Sequence, residues 1–188
     1  MLCLFGIQLQ AQQLTYYDAS CFPLLGKATQ DTGARYERLP DSLKNISRSP
    51  LWNLSRNSAG MAIRFRSNST RIALKWENLF NNHMNHMTDT GVKGLDLYCW
   101  ESNGKWRFVN SARPNGKTNQ ATIIANMQPQ EREYMLYLPL YDGLVSLSTL
   151  NPQLHSRSAT YKRNGLLIRK TAIKSSRPFQ CAYYPLTP

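Results

Sequence analysis

The sequence predicts an all-β fold: a single-domain, antiparallel, jelly-roll-like β-sandwich that is followed by an irregular basic tail. The chain of 188 residues is long enough for one ordinary domain and too short for two. Apolar and polar residues alternate with a period of two from residue 60 to about residue 148, and turn-forming residues interrupt the alternation at short intervals. No long segment has a period of 3.6 residues, so about seven short strands are expected.

The first two candidate strands lie at residues 60–66 and 71–77. Each carries its apolar residues at alternate positions, which places them on one face of a strand. The polar segment 67–70 between them has the right length for a turn. The sequence therefore predicts that these two strands form an antiparallel hairpin.

A second hairpin is predicted from residues 94–101 and 106–109, joined through Asn103 and Gly104. Further strand candidates are residues 121–125, 134–138 and 144–147, and the turn-forming pair Asp142–Gly143 precedes the last of them. Helix is expected at most at residues 128–132, where Pro129 suits the first turn.

The segment 78–93 between the two predicted hairpins forms no obvious strand, and loops of this length are commonly functional. His83, His86 and Asp89 follow one another at intervals of three, which suits a metal site or proton transfer. We favour a polar loop without metal, because three ligands on one loop are weak support for an ion. A binding surface remains open as an alternative, with Asn82, His83, Asn85, His86 and Asp89 as its candidate interface or substrate residues.

The strand at 94–101 contains an unusual acidic residue. Asp96 lies between Leu95 and Leu97 and therefore points to the same side as Tyr98 and Trp100. A carboxylate there must meet solvent, a cation or a partner surface, and we expect it to pair with a strand arginine. Tyr98 and Trp100 are either a sugar-stacking face or part of a core covered by a loop, and we favour the core.

The formal net charge of +12 is concentrated at the end of the chain. Residues 146–188 contain seven Lys or Arg and no Asp or Glu, and the strand pattern fails from residue 149 onward. The domain is therefore expected to close near residue 150, with 149–188 as a basic tail arising from a truncation or a frameshift. Such a tail can bind polyanions, but nucleic acid is not the expected partner of the domain.

The first residues are expected to be the remnant of a signal peptide, which predicts a secreted or periplasmic protein. A short apolar run is followed by Ala11 before Gln12, although no basic residue precedes Lys27. We assign residues 1–11 to this remnant. Cys21, Cys99 and Cys181 have no paired spacing and are expected to be buried or incidental thiols. No stretch is long and apolar enough to predict a membrane span.

Sequence motifs of self-contained catalysis are missing. The chain has no G-x-S-x-G elbow, phosphate-binding loop, dinucleotide fingerprint or H-E-x-x-H motif. We therefore expect no catalytic residue, no cofactor and no metal in this chain.

At Gly94, Asp96, Leu97 and Tyr98 the sequence resembles the N-terminal GxDLY-type domain of bacterial SGNH/GDSL-family hydrolases. The likeness covers residues 14–148 and continues, in the same order, through residues 35–40, 52–60, 85–87 and 137–141. The resemblance implies a β-sandwich packed on an α/β esterase domain, in an exported protein that acts on ester-decorated carbohydrate.

The sequence departs from that family where the catalytic domain is expected. Neither a Gly-Asp-Ser-like or Gly-Thr-Ser-like nucleophile block nor an Asp-x-x-His pair follows residue 149. Acyl transfer without them lacks its nucleophile, base and oxyanion donors. We therefore expect a non-catalytic accessory domain that supports an SGNH catalytic domain, normally in cis, and its substrate cleft.

Two alternatives from other classes remain open. The first is a free-standing carbohydrate-binding module that uses Tyr98 and Trp100. The second is nucleic-acid binding through the tail, which predicts a steep dependence on salt.

Overall fold

The computed structural model describes residues 15–150, 161–163 and 166–168, and within 15–150 two antiparallel sheets enclose an apolar core. The strands are β1 (Tyr16–Asp18), β2 (Leu24–Leu25), β3 (Ala62–Ser67), β4 (Ile72–Asn78), β5 (Leu95–Trp100), β6 (Trp106–Ala112), β7 (Thr118–Ile124), β8 (Arg132–Tyr137), β9 (Leu144–Leu150), β10 (Tyr161–Arg163) and β11 (Leu166–Ile168). Two short helices, α1 (Ser49–Ser55) and α2 (Asp89–Lys93), and two 3₁₀ turns, Ala19–Cys21 and Asp41–Leu43, lie between them. The predicted all-β, sandwich-like single domain is confirmed.

One sheet has four strands in the order β1-β9-β4-β7, and the other has five in the order β2-β3-β8-β5-β6. The predicted hairpin of β3 and β4 is therefore wrong, because the two strands belong to different sheets. Their connection is a corner in which Ser67 and Ser69 are buried. The Ser69 hydroxyl donates to Arg71 O at 2.6 Å, and Ser69 N donates to Ser67 Oγ at 3.0 Å. The polar residues that suggested a turn thus satisfy the backbone of a crossover.

The second predicted hairpin is confirmed. β5 and β6 pair from Leu95↔Ala112 to Trp100↔Trp106, with a register shift between Leu97 and Tyr98. Gly104 in the connection has φ +78°, a left-handed conformation that glycine adopts without strain.

Helix occurs at other positions than predicted. Residues 128–131 are not helical, and Arg132 begins β8 instead. Pro50 lies in the first turn of α1, where its missing N–H costs no hydrogen bond. With seven and five residues, α1 and α2 are too short to show a helical period in the sequence.

The core is filled from the inward positions of both sheets. β4 contributes the buried residues Ile72, Leu74 and Trp76, which face Leu97 and Tyr134 of the other sheet's inner side. Each large apolar side chain buried in this way contributes about 1.5–3 kcal/mol. The period-two alternation therefore identifies the inward face of these strands correctly.

Two predictions outside this core need correction. Part of the tail predicted as irregular forms an antiparallel pair, with Lys162↔Leu167 in register between β10 and β11. Cys21 is disulfide-bonded rather than a thiol, whereas Cys99 is free and half-buried. The proposed signal remnant 1–11, Cys181 and the rest of the tail lie outside the described residues. Among the helices described, none has the length and apolar character needed to cross a membrane.

Close backbone approaches fix the segment between α2 and β5. A Cβ atom on Gly94 would overlap Thr90 O and lie 3.0 Å from Ala112 O. Both neighbours are backbone atoms, so neither can move without separating α2 from β6. The φ angle of Gly94 is −81°, which any residue can adopt, so glycine is required here because of the space and not because of the backbone conformation.

A buried carboxylate holds the end of β4 against the start of β9. Asp142 is fully buried, and its oxygens accept hydrogen bonds from the backbone N–H groups of Phe80 at 2.9 Å, Asn82 at 2.8 Å and Gly143 at 2.8 Å. Three N–H donors can satisfy a buried carboxylate without a cation. The path of residues 80–82 thus depends on this one side chain.

We expect the Asp142→Asn substitution to destabilise the protein by about 1–3 kcal/mol, because an amide nitrogen would face an N–H donor and leave it unpaired. Chemical denaturation followed by tryptophan fluorescence measures the free energy of unfolding. Asp31→Asn is the control at an exposed acidic residue and is expected to change stability by less than about 0.5 kcal/mol. Equal stabilities of the two variants would contradict the role given to Asp142.

Gly94→Ala is expected to destabilise by about 1–3 kcal/mol through overpacking, measured in the same way. The control is Gly91→Ala in α2, whose Cβ would meet only the flexible side chain of Met87 at 3.0–3.1 Å. A harmless Gly94→Ala would show that the helix and strand can separate at little cost.

Candidate functional site

Four segments meet where β3, β5 and β9 begin and β4 and β8 end. We call residues 36–38, 55–58, 79–93 and 138–143 the loop cluster. Backbone hydrogen bonds join its members: Ser58 N donates to Asp142 O at 2.9 Å, Leu79 N to Gly143 O at 2.9 Å, and Tyr141 N to Val92 O at 3.0 Å. The segments on which the family resemblance rests therefore converge at one end of the sandwich.

A partly buried ion pair joins the first two segments of the loop cluster. Arg56 Nε donates to Glu37 Oε1 at 2.8 Å, and Glu37 is 8% exposed. The Arg56 guanidinium also lies 5.3 Å from the ring centroid of Phe80. The Arg56 guanidinium therefore has its contacts within the protein and connects the first two segments of the loop cluster.

A buried lysine organises the segment 79–93. Lys93 has 0% exposure, and its Nζ donates to Asn81 Oδ1 at 2.7 Å. The same ammonium lies 3.1 Å from His83 Nε2 and 3.3 Å from Asp89 Oδ2. All three N–H donors of this buried cation therefore have partners, as burial of a charge requires.

The contacts define the role of each His83 nitrogen. An ammonium can only donate, so Nε2 accepts from Lys93, and Nδ1 donates to Asp89 Oδ1 at 2.9 Å. This arrangement suits a neutral imidazole with its proton on Nδ1. Desolvation favours a higher pKa for the Asp89 carboxyl, but the hydrogen bonds from Lys93 and His83 outweigh it, and the pKa is lowered.

The candidate loop residues are only partly brought together. His83 and Asp89 meet at Lys93, whereas His86 contacts its neighbour Asn85, Nδ1 to Oδ1 at 3.0 Å. Asn82 donates through Nδ2 to Tyr141 O at 2.7 Å and is held by Asp142. Across the described residues, no three His, Cys, Asp or Glu side chains gather as a metal site would require.

The residues of the glycine-to-tyrosine motif have distinct structural roles. Gly94 allows the close approach of α2 to β6, and Leu97 is fully buried in the core. Asp96 accepts a hydrogen bond from the Ser111 hydroxyl at 2.5 Å. The expected pairing of Asp96 with a strand arginine is therefore wrong, because the register places serine opposite it on β6.

The aromatic residues of β5 lie on the outer side of the five-stranded sheet. Tyr98 is half-buried between the rings of Phe108 and Tyr137, at centroid distances of 5.5 and 5.3 Å. Trp100 is 42% exposed. The sequence-based preference for a core position is therefore wrong, because the inward positions of β5 belong to Leu95 and Leu97.

Sequence reasoning missed Lys93, Asp142 and Glu37. In the sequence, Lys93 is the last residue of the predicted loop 78–93, and Asp142 belongs to a predicted turn. The one available signal was the position of Asp142 beside Gly143, a pair that also occurs in simple surface turns. Burial of these charges depends on contacts that are distant in sequence.

Comparison with solved structures supports the same architecture. A protein described as a GDSL-like lipase from Bacteroides ovatus ATCC 8483 is 37% identical, with a TM-score of 0.70 over 75% of this chain. This chain covers 42% of that protein, so it spans less than half of its length. The salicylyl-acyltransferase SsfX3 from a tetracycline biosynthetic pathway is 13% identical, with a TM-score of 0.48 over 79% of this chain and 44% of that one. That likeness is too weak to support an inference.

No curated protein is significantly similar to the chain. The family described as GxDLY, the N-terminus of the Esterase_SGNH_hydro-type, matches residues 14–150. This match spans the whole described sandwich and most of the sequence. The chain therefore belongs to the GxDLY family, the N-terminal domain of SGNH-hydrolase-type esterases.

Proposed function

We propose that this chain is a non-catalytic accessory domain that supports an SGNH catalytic domain and helps to shape its cleft for a carbohydrate ester. The observation that carries the proposal is the loop cluster, a buried polar network in a domain whose family precedes an esterase. The chain acts in an exported protein, secreted or periplasmic, and the catalytic domain is its partner in cis.

The loop cluster has the properties of a docking surface. Asp142 and Lys93 fix its backbone from inside, so little ordering entropy remains to oppose association. Outside, it exposes the apolar side chains of Phe80, Leu140 and Tyr141, which are 36%, 50% and 37% exposed. Apolar groups on a rigid support are typical of the centre of an interface.

The chemistry in the loop cluster favours positioning over catalysis. The hydrogen-bond partners of the His83 ring are Asp89 and Lys93, and neither is a nucleophile of acyl transfer. The imidazole of His86 is exposed, and its hydrogen-bond partner in the structure is the neighbouring Asn85. We therefore assign to the catalytic domain the serine, its base and the oxyanion donors, and to this domain one wall of the cleft.

A chimera tests this proposal. Residues 1–150 replace the matching segment of the Bacteroides ovatus protein, and hydrolysis of p-nitrophenyl acetate is measured. We expect activity in the chimera, and His86→Ala is expected to lower kcat/KM by about tenfold through misplacement at the cleft. The chain on its own is expected to give only background hydrolysis.

Lys105→Ala is the control, because Lys105 is exposed in the β5–β6 turn at the opposite end of the sandwich. It is expected to leave kcat/KM unchanged. If His86→Ala and Lys105→Ala have equal kcat/KM in an active chimera, the loop does not contribute to the cleft. Esterase activity of the isolated chain above background would refute the non-catalytic assignment.

A further inference from the structure

The outer face of the five-stranded sheet exposes aromatic residues where most sheets present polar ones. Trp100, Phe108 and Tyr137 are 42%, 52% and 42% exposed. On the four-stranded sheet, polar side chains line an outer groove, namely those of Lys75, Thr118, Gln120, Ser146 and Ser148, and Val145 is a single exposed apolar residue beside them in sequence. An apolar patch confined to one of two outer faces indicates a binding surface.

The register explains how these rings form two neighbouring pairs. Trp100 pairs with Trp106 and Tyr98 with Phe108 across β5 and β6. The Trp100 and Trp106 rings lie 5.1 Å apart at 64°, and the Tyr98 and Phe108 rings lie 5.5 Å apart at 68°. Edge-to-face contacts of this kind fix the rings before any ligand arrives.

A groove of about 700 Å³ borders Trp100 at the end of β5. Its volume lies within the range of small-ligand sites, about 300–1,000 Å³. The polar side chains beside Trp100 belong to Arg66, Glu101, Ser102, Gln130, Glu131, Arg132 and Glu133. The groove therefore combines an aromatic wall with closely spaced hydrogen-bond donors and acceptors.

Most of the charged side chains in the groove belong to ion pairs. Arg66 lies 3.4 Å from both Glu131 and Glu133, and Arg64 also pairs with Glu133. Arg107 pairs with Glu101 at 3.1 Å. Arg132 also lines the groove and donates to Gln128 O and to Gln130 O and Oε1 rather than to an acidic side chain. The groove thus has two arginines beside three glutamates and no large excess of either sign, which suits a neutral ligand rich in hydroxyl groups.

We propose that Trp100 and the adjoining groove bind a neutral carbohydrate chain, with Trp106 holding the Trp100 ring in place from the side. A sugar ring presents an apolar face of C–H groups to the indole and hydroxyls to the paired arginine and glutamate side chains. A surface with an aromatic ring at its centre and polar side chains around it suits such an amphipathic ligand. Only the choice of carbohydrate as the ligand rests on the proposed function. The site would bind the same polymer whose ester the catalytic domain cleaves.

This site is separate from the loop cluster. β5 begins after Gly94, next to the loop cluster, and ends at Trp100, which is about 17 Å farther along the strand at 3.3–3.4 Å per residue. One end of the sheet thus faces the catalytic domain, and the other holds the polymer from which the substrate is drawn.

Affinity electrophoresis of the full chain tests the site directly, in gels containing arabinoxylan, galactomannan or xyloglucan without ester groups. We expect at least one polymer to retard the chain and to change its tryptophan emission. Trp100→Ala is expected to reduce the affinity at least tenfold. The control is Val145→Ala on β9, which is 51% exposed in the other sheet and is expected to bind like the parent chain.

Retardation is expected to persist when the salt concentration rises, because the ligand carries no charge. Strong loss with salt would assign the binding to the basic end of the chain instead. Absence of retardation in every gel, or equal retardation of the two variants, would overturn the inference.

The chimera separates this inference from the proposed function. If Trp100→Ala lowers the melting temperature of the chimera and changes no polysaccharide binding, the catalytic domain covers this face, and the inference is wrong. If the chimera is active and depends on His86 but binds no polysaccharide, the proposed function stands and this inference is wrong. If Trp100 is needed for polysaccharide binding but His86→Ala does not change the activity of the chimera, this inference stands and the role proposed for the loop cluster is wrong.

Discussion

The Asp142 carboxylate makes the contacts on which the loop cluster depends. It receives three backbone N–H groups from two segments that are more than fifty residues apart in the sequence. Its own carbonyl accepts from Ser58, which in turn donates through its hydroxyl to Tyr36 O at 3.2 Å. One buried acidic residue thus connects all four segments of the loop cluster, and each loop takes its shape from the others.

Lys93 is a second buried charge in the loop cluster, opposite in sign to Asp142. A fully buried ammonium is stable only while Asn81, His83 and Asp89 remain in place, and these three side chains are ordered because the ammonium is there. Because such networks are satisfied as a unit, they specify one loop conformation. The outer surface of the loop cluster can therefore carry exposed apolar and imidazole groups on a defined backbone.

Sequence reasoning succeeded for properties that depend on local periodicity. The alternation around Ile63 and Leu74 identified two strands and their inward faces, because burial on one side of a sheet leaves a period of two. It failed for the partner of β3, since a hairpin turn and a corner between sheets both need short polar residues such as Ser67 and Ser69. It also failed for Trp100, because large aromatic side chains fit a core and a binding face equally well. For Trp100, the register between β5 and β6 decides which face of the sheet the ring lies on. This register depends on pairing between strands, which the sequence of one strand does not contain.

The pairing of Tyr16 with Leu150 has a consequence for how the domain is made. Within residues 15–150, β5 and β6 are the strands paired through a short reverse turn, and the other pairings join distant parts of the chain. Contact order is therefore high, and folding is expected to be slow compared with a helical domain of the same size. During synthesis on the ribosome, the four-stranded sheet stays incomplete until its last strand has left the exit tunnel. The last pairing to form is then that of Leu150 with Tyr16, so the two ends of the sandwich meet only when the whole domain is available.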